Sequence, residues 1–124
     1  MALEMALSIG CLITMLFVSI DLGRYFFSAQ SLSYLVGEVA RTATLNATAG
    51  CSNPVSTYAP RAPILDPALL TLQLCIYPPN STGNATNLTR VDVTASYAFS
   101  FMAPLLRGRL GRIDESVSMR FVVS

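Results

Sequence analysis

The chain has 124 residues, a net charge of +1, 52% hydrophobic residues and only 12% charged ones. This length allows one small domain and a long helix, and the low charge with a mean hydropathy of +0.53 is typical of contact with a membrane or with other subunits. The charge gives no reason to expect nucleic acid as a partner. Because the sequence contains no histidine, catalytic triads, histidine-bound metals and imidazole acid–base chemistry are disfavoured.

The first 45 residues predict one continuous helix of about 65–70 Å, since the first proline of the chain is Pro54. Residues 5–20 carry no charge, and apolar residues then recur at spacings of three and four, which is the pattern of one helix face. The members of this face are Leu22, Tyr25, Phe26, Ala29, Leu32, Val36, Val39, Ala40 and Ala43. We expect a helix at about residues 1–46, hydrophobic all round over 1–20 and amphipathic over 21–46.

The charged residues that flank the apolar run allow two interpretations each. Glu4 precedes the run and is either the polar end of a membrane helix or the partner of a neighbouring subunit's N-terminal amine, because a carboxylate in apolar surroundings is costly unless paired. Asp21 and Arg24 follow the run on one helix face. They are either a pair at the membrane–water boundary or a contact between subunits.

The start of the chain lacks the basic residues that normally precede an apolar targeting segment. Either Met1 is a true start with a poor orientation signal, or a basic leader has been removed. We favour removal, because an acid at the start of a membrane segment is otherwise hard to explain.

Residues 46–67 are rich in proline, glycine and small polar residues and predict a loop. Asp66 and Pro67 near its end predict an N-cap and one helical turn. Cys51 in this loop and Cys75 beyond it are either unrelated thiols or, outside the cytoplasm, a disulfide worth about 3.5 kcal/mol. We expect the disulfide.

Three segments alternate between apolar and polar residues and predict strands. They run from Leu70 to Ile76, from Val91 to Phe99 and from Ile113 to Val123. Consecutive strands without crossover helices favour an antiparallel meander. We therefore expect an α+β fold in which the long helix packs on a three-stranded antiparallel sheet, with residues 47–124 forming a β-rich domain outside the cytoplasm, here called the sheet domain.

The polar segment between the first two strands matches the glycosylation sequon at Asn80, Asn84 and Asn87, and Asn46 begins another match. Such matches are common in Thr-rich loops, so surface sugar is a hypothesis beside a simple polar loop. Arg107, Arg109 and Arg112 are interpreted as a solvated turn rather than an anion site. The scattered carboxylates and the absence of a glycine-rich phosphate loop lead us to expect no catalytic site, no metal and no cofactor.

The N-terminal segment resembles the TadE-like pseudopilins of tight-adherence (Tad) pilus systems, within the type IV pilin superfamily. The resemblance lies in the Glu4-Met5-Ala6-Leu7 start, the apolar helix, the Asp21-Leu22-Gly23-Arg24 step and the segment from Glu38 to Ala43. Weaker similarity continues at Val91, Val93 and Tyr97 and at residues 116–120. The acid is fourth here rather than fifth, and Gly10 stands where the family often has proline.

The resemblance implies cleavage by a prepilin peptidase, residence in the bacterial inner membrane as a precursor, and transfer by pilus assembly machinery into an extracellular filament. Assembly would then depend on Glu4, Asp21 and Arg24, and helices of copies of this chain would pack through apolar side chains. The candidates for this packing are Leu7, Ile9, Leu12, Leu16, Phe17 and Ile20. The rival interpretation is a minor pseudopilin or a single-pass membrane-anchored assembly factor that does not form the bulk of a filament.

Overall fold

The computed structural model describes residues 1–46, 48–103, 106 and 110–122, without the side chain of Leu110. Helix α1 spans Ala2–Leu45, and the strands are β1 (Gly50–Ser52), β2 (Leu70–Tyr77), β3 (Thr89–Ser100) and β4 (Leu110–Phe121). A short helix α2 (Val55–Tyr58) and a 3-10 turn (Ala59–Arg61) lie between β1 and β2. The expected α+β architecture, a long N-terminal helix with an antiparallel sheet, is thereby confirmed.

The sheet is a meander in the order β1-β2-β3-β4, and every neighbouring pair is antiparallel. Leu74 of β2 stands opposite Val93 of β3, which stands opposite Val117 of β4. Alternate residues of β3 are buried, from Thr89 to Phe99. The alternation of apolar and polar residues in its sequence therefore identifies the face that packs on α1.

The expectation of three strands is wrong, because β1 adds a fourth at the edge of the sheet. This strand has three residues, all exposed, so it has no alternation for a sequence pattern to reveal. Gly50 begins it with φ of +128°, a conformation that favours glycine. What places β1 is its pairing with β2, where Cys51 stands opposite Cys75.

The segment predicted as a loop also contains α2, in which the backbone N–H groups of Thr57 and Tyr58 donate to the Pro54 carbonyl at 3.0 and 3.2 Å. The predicted helical turn after Asp66 is only a hydrogen-bonded turn. The Ala68 N–H donates to Asp66 Oδ1 at 2.9 Å and the Leu69 N–H to the Asp66 carbonyl at 3.0 Å. Strand β2 begins at the next residue, so pairing in the sheet overrides helix continuation.

The core lies between the second half of α1 and the sheet. Its fully buried members are Leu32, Leu35, Val36, Val39 and Ala40 from the helix and Leu72, Val91, Val93 and Ala95 from the sheet. The helix and the sheet domain thus share one hydrophobic core. Burial of this apolar area is the main term that holds them together.

The predicted apolar face of α1 needs one correction. Leu22 and Phe26 belong to the predicted face, yet they are 51% and 58% exposed, whereas Leu35 outside it is fully buried. At the level of Leu22 and Phe26 the contacts to the helix come from the end of β3 and from residues 101–103. These contacts cover a narrower strip of the helix than the sheet covers farther along.

Candidate membrane-anchoring and assembly surface

The first half of α1 projects from the sheet domain without cover from the described part of the chain. Its most apolar 18-residue window has a mean hydropathy of 2.1 and none of that window is buried. By length and composition α1 can cross a membrane. The helix therefore combines an uncovered apolar half, residues 2–20, with a half that is packed on the sheet from Asp21 onward.

The side chains predicted to pack between helices all lie on this free half. Each has about half or more of its surface exposed: Leu7, Ile9, Leu12, Leu16, Phe17 and Ile20. They are available to lipid or to another chain. An apolar surface of this extent on a folded protein marks a site of membrane or protein contact.

Two of the three hydroxyl groups within the free half, those of Thr14 and Ser19, bond back to the helix itself. The Thr14 hydroxyl donates to the Gly10 carbonyl at 2.7 Å, and the Ser19 hydroxyl donates to the Met15 carbonyl at 2.8 Å. Back-bonding of this kind lets a hydroxyl enter an apolar environment without an unpaired donor. The hydroxyl groups of Thr14 and Ser19 are therefore compatible with lipid or with a protein interior.

Glu4 lies in the first turn of α1 and is exposed. The backbone N–H groups at a helix N-terminus favour a nearby carboxylate. None of the ion pairs formed by residues 1–46, 48–103, 106 and 110–122 includes Glu4. Its pairing with a neighbouring subunit's amine stays a prediction.

Asp21 fastens the helix to the connection that follows β3. Although charged, it is 2% exposed, and its Oδ2 accepts hydrogen bonds from the backbone N–H groups of Met102, at 2.8 Å, and Ala103. Its Oδ1 accepts from Arg24 Nη1 at 3.3 Å. The carboxylate thus makes its contacts within its own chain, and both the boundary interpretation and the subunit contact stay predictions.

Arg24 remains accessible. Its side chain is 46% exposed, and the guanidinium carbon lies 5.5 Å from the centre of the Phe99 ring. An arginine beside an aromatic face and a carboxylate is held in place but keeps N–H donors for a further anion. Of the predicted pair, Arg24 is the member that can contact another molecule.

The structure joins Cys51 and Cys75 by a disulfide with an S–S distance of 2.09 Å, consistent with the expectation. The bridge crosses between directly opposed residues of β1 and β2. It therefore fixes the short edge strand that hydrogen bonds alone would hold weakly. Cys11 is a free, exposed thiol on the apolar half of α1.

The loop between β2 and β3 is organised by Asn84. This side chain is 3% exposed, and its Nδ2 donates to the carbonyl oxygens of Tyr77, Pro78 and Leu88 at 3.2, 3.2 and 2.6 Å. Both amide hydrogens have acceptors inside the folded loop, so a sugar on Asn84 would have to replace these hydrogen bonds, and its glycosylation stays a prediction. Asn80 and Asn87 are exposed, and their glycosylation stays a prediction.

Next to this loop, Arg90 forms an ion pair with Asp92. Arg90 Nε donates to Asp92 Oδ1 at 3.0 Å, and its Nη2 donates to Oδ2. The hydrogen bond from Arg90 lowers the pKa of Asp92, with a further contribution from the Ser118 hydroxyl, which donates to Oδ1 at 2.7 Å. The same hydrogen bond raises the pKa of Arg90.

Parts of three predictions lie outside the described residues: Arg107 and Arg109 of the arginine cluster, Ala47 of the Asn46 sequon, and Val123 at the end of the third predicted strand. Arg112, the described member of the cluster, donates to Asp114 Oδ1 at 3.1 Å and to the Ser96 hydroxyl at 2.8 Å on the outer face of the sheet. This is the solvated pairing expected of a surface arginine.

Comparison with known proteins adds one match. The family model described as TadE-like protein matches residues 1–41. No curated protein and no solved structure matches the chain. The matched segment contains the free half of α1, Glu4, Asp21 and Arg24, and it ends before the sheet domain.

This match implies a role with the machinery of the Tad pilus, and the apolar helix suits anchoring in a membrane. The suspected resemblance is therefore confirmed: residues 1–41, which make up most of the long helix, match the TadE-like family model.

Proposed function

We propose that this chain is a structural subunit that self-assembles through the free half of α1 into an extracellular Tad-like pilus filament for surface attachment. The observation that carries the proposal is the uncovered apolar half-helix, which projects from a folded sheet domain and coincides with the TadE-like match. In water such a surface is unfavourable. A bilayer covers it before assembly, and copies of the same helix cover it afterwards.

In this proposal the precursor resides in the bacterial inner membrane, a prepilin peptidase removes its leader, and the pilus machinery transfers the subunit to the filament. Glu4 neutralises the N-terminal amine of a neighbouring subunit and so sets the axial position of one helix against the next. The apolar side chains of the free half form the filament interior, and the sheet domain faces outward.

The proposed activity is assembly rather than catalysis. The sequence has no histidine, and its carboxylates are scattered along the chain. We accordingly assign no catalytic residue and no cofactor, and propose that the chain is not an enzyme.

A second candidate is a minor pseudopilin or a single-pass assembly factor. Its support is the resemblance to the TadE-like pseudopilins, which leans towards minor components. The free half is also long enough to remain in a bilayer, since its 19 residues from Ala2 to Ile20 extend about 28 Å.

Fractionation of cells that express the chain separates the two candidates. Filaments sheared from the surface and the membrane fraction are each quantified by intact mass and immunoblot. The filament proposal expects the chain as the repeating component of the sheared material. Recovery in membranes alone, or at trace stoichiometry in filaments built from another protein, would establish the second candidate instead.

A substitution tests the proposed role of Glu4. Breaking a buried ion pair costs roughly 3–5 kcal/mol, so Glu4→Gln should lower the yield of sheared filament at least about tenfold. The matched control is Glu115→Gln, the same change on β4. Equal filament yields from the two variants would refute the pairing.

A further inference from the structure

The exposed apolar side chains of the packed part of the molecule are unevenly distributed. Between Asp21 and Val122, ten large apolar side chains of the described residues are exposed. Six of them gather around the point where α1 leaves the sheet domain, and we call them the collar: Leu22, Phe26, Phe27, Ile64, Leu69 and Met102. The other four are Tyr34, Leu45, Met119 and Val122.

Contacts at this end place the collar around the helix. The hydrogen bond from the Met102 N–H to Asp21 brings Met102 to the side of α1 near Leu22. On another side, a cleft of about 480 Å³ is lined by Phe27, Ile64 and Leu69 together with Arg24. The collar therefore lies beside α1 on at least two sides, near the point where the helix leaves the sheet domain.

The length of the free half gives the depth of the collar in a bilayer. Residues 2–20 extend about 28 Å, close to the roughly 30 Å of the hydrocarbon core. Residues 22–27 occupy about the next 10 Å of the helix. When the free half spans the bilayer, the collar thus lies at the level of the lipid head groups, where phenylalanine and leucine bury their side chains at the edge of the acyl chains.

Arg24 gives the collar a charged partner for lipid. The guanidinium borders the cleft, its side chain is 46% exposed, and its pairing with Asp21 uses one of its five N–H donors. Planar guanidinium groups bind phosphate with paired hydrogen bonds. The cleft offers a phosphate an apolar wall from Phe27 and Leu69 and a cation from Arg24.

We infer that the collar seats the sheet domain on the outer surface of the bilayer before assembly, with Arg24 binding the phosphate of a phospholipid in the cleft. The inference rests on the membrane stage of the proposed function and adds a second contact with lipid, beyond the spanning helix. It also assigns a partner to six apolar side chains that the core does not use.

The absence of tryptophan from the sequence makes the test direct, because one introduced tryptophan is the sole indole. Phe27→Trp places this indole in the collar, and we call it the collar indole. Leu45→Trp gives the control indole, at a position that is 80% exposed and about 27 Å farther along the same helix. Each full-length variant is reconstituted in phosphatidylcholine–phosphatidylglycerol vesicles. Flotation of the vesicles tests the anchor separately.

The collar indole should emit at shorter wavelength than the control indole, lose intensity to lipids brominated near the head group and resist aqueous iodide. The control indole should show the reverse. If the protein floats with the vesicles but its collar indole is as accessible to iodide as the control indole, the inferred contact of the collar with lipid is wrong and the membrane anchor stands. If the protein does not float with the vesicles, the membrane stage of the proposed function is wrong. A third outcome is that the collar indole is protected from iodide only at high protein-to-lipid ratio and is not quenched by brominated lipid. A second copy of the chain would then cover the collar, and the inference would be wrong.

A second arm tests Arg24 by energy transfer from the collar indole to phospholipid labelled with dansyl on its head group. In the Phe27→Trp background, Arg24→Gln should reduce the transfer and Arg24→Lys should restore it. Arg41→Gln, which changes an exposed arginine farther along the helix, should leave the transfer unchanged. Equal energy transfer in these three variants and their Phe27→Trp parent would contradict the binding of phosphate by Arg24.

Discussion

Asp21 shows how one carboxylate can determine where the free part of a long helix begins. It is the first buried residue of α1, and it binds backbone N–H groups 81 and 82 positions later in the chain. The sequence places Asp21 at the end of the apolar run but contains no signal for such distant donors. Its pairing with Arg24 was predictable from their spacing, whereas its burial and its backbone partners were not.

Asp21→Asn should destabilise the packing of α1 on the sheet. The neutral amide accepts hydrogen bonds without the help of a charge, and its NH2 group faces a donor where Asp21 presents an oxygen. We expect the free energy of unfolding to fall by about 1.5–3 kcal/mol. Urea unfolding in mild detergent, followed by circular dichroism, measures the free energy of unfolding. Asp114→Asn is the control, because this exposed carboxylate pairs only at the surface and its loss should cost less than about 1 kcal/mol. Equal losses in both variants would contradict the role of Asp21.

Asn84 is the second residue whose role the sequence concealed, since the sequon suggested sugar where the structure has an internal hydrogen-bond donor. Asn84→Asp replaces that donor with a carboxylate facing carbonyl oxygens and should cost at least about 2 kcal/mol. Asn87→Asp keeps the oxygen that accepts from Asn80 and should be nearly neutral in the same unfolding assay. Equal stabilities, or a sugar mass on Asn84, would contradict this assignment.

The lowered pKa of Asp92 predicts a pH dependence. A carboxyl whose folded pKa lies below the unfolded value of about 3.9 contributes stability above that value and loses it as the pH falls through the folded pKa. The stability difference between the parent protein and Asp92→Asn should therefore be constant near neutral pH and shrink below about pH 4. A difference that grows with acidification would reverse the sign and contradict the pairing. Arg90 stays protonated throughout this range.

At the scale of elements, long periodic segments were predictable and short ones were not. The second half of α1 and the alternating segments of β2, β3 and β4 carry their periods in the sequence, because one face of each packs on the core. Strand β1 has only three residues, all exposed, and α2 has only four residues. Neither is long enough to show a period, and their positions follow from tertiary contacts such as the pairing of Cys51 with Cys75.

Removal of the disulfide by Cys51→Ser with Cys75→Ser should lower the free energy of unfolding by about 3.5 kcal/mol, since the bridge closes a loop of 24 residues in sequence separation. Hydrogen exchange should show loss of protection in β1 while β3 remains protected. Cys11→Ser, which removes the free thiol, is the control and should change neither quantity. An unchanged unfolding energy in the double variant would contradict a stabilising bridge.

At the scale of the whole molecule, α1 belongs to two environments. From Asp21 onward it contributes to the core of the sheet domain, and before Asp21 it presents apolar side chains that no other described residue covers. The sequence predicted this division at residues 20 and 21, because hydrophobicity all round gives way there to one apolar face. It could not indicate how the sheet packs on the helix, since that depends on contacts between residues distant in the chain.

The central claim is that the free half of α1 is stable only when lipid or copies of the same helix cover it. Analytical ultracentrifugation of the full-length chain after removal of detergent tests this claim most directly. We predict that the chain sediments as polymer, or floats with lipid when vesicles are supplied. A monodisperse monomer that stays in solution without detergent or lipid would contradict the account.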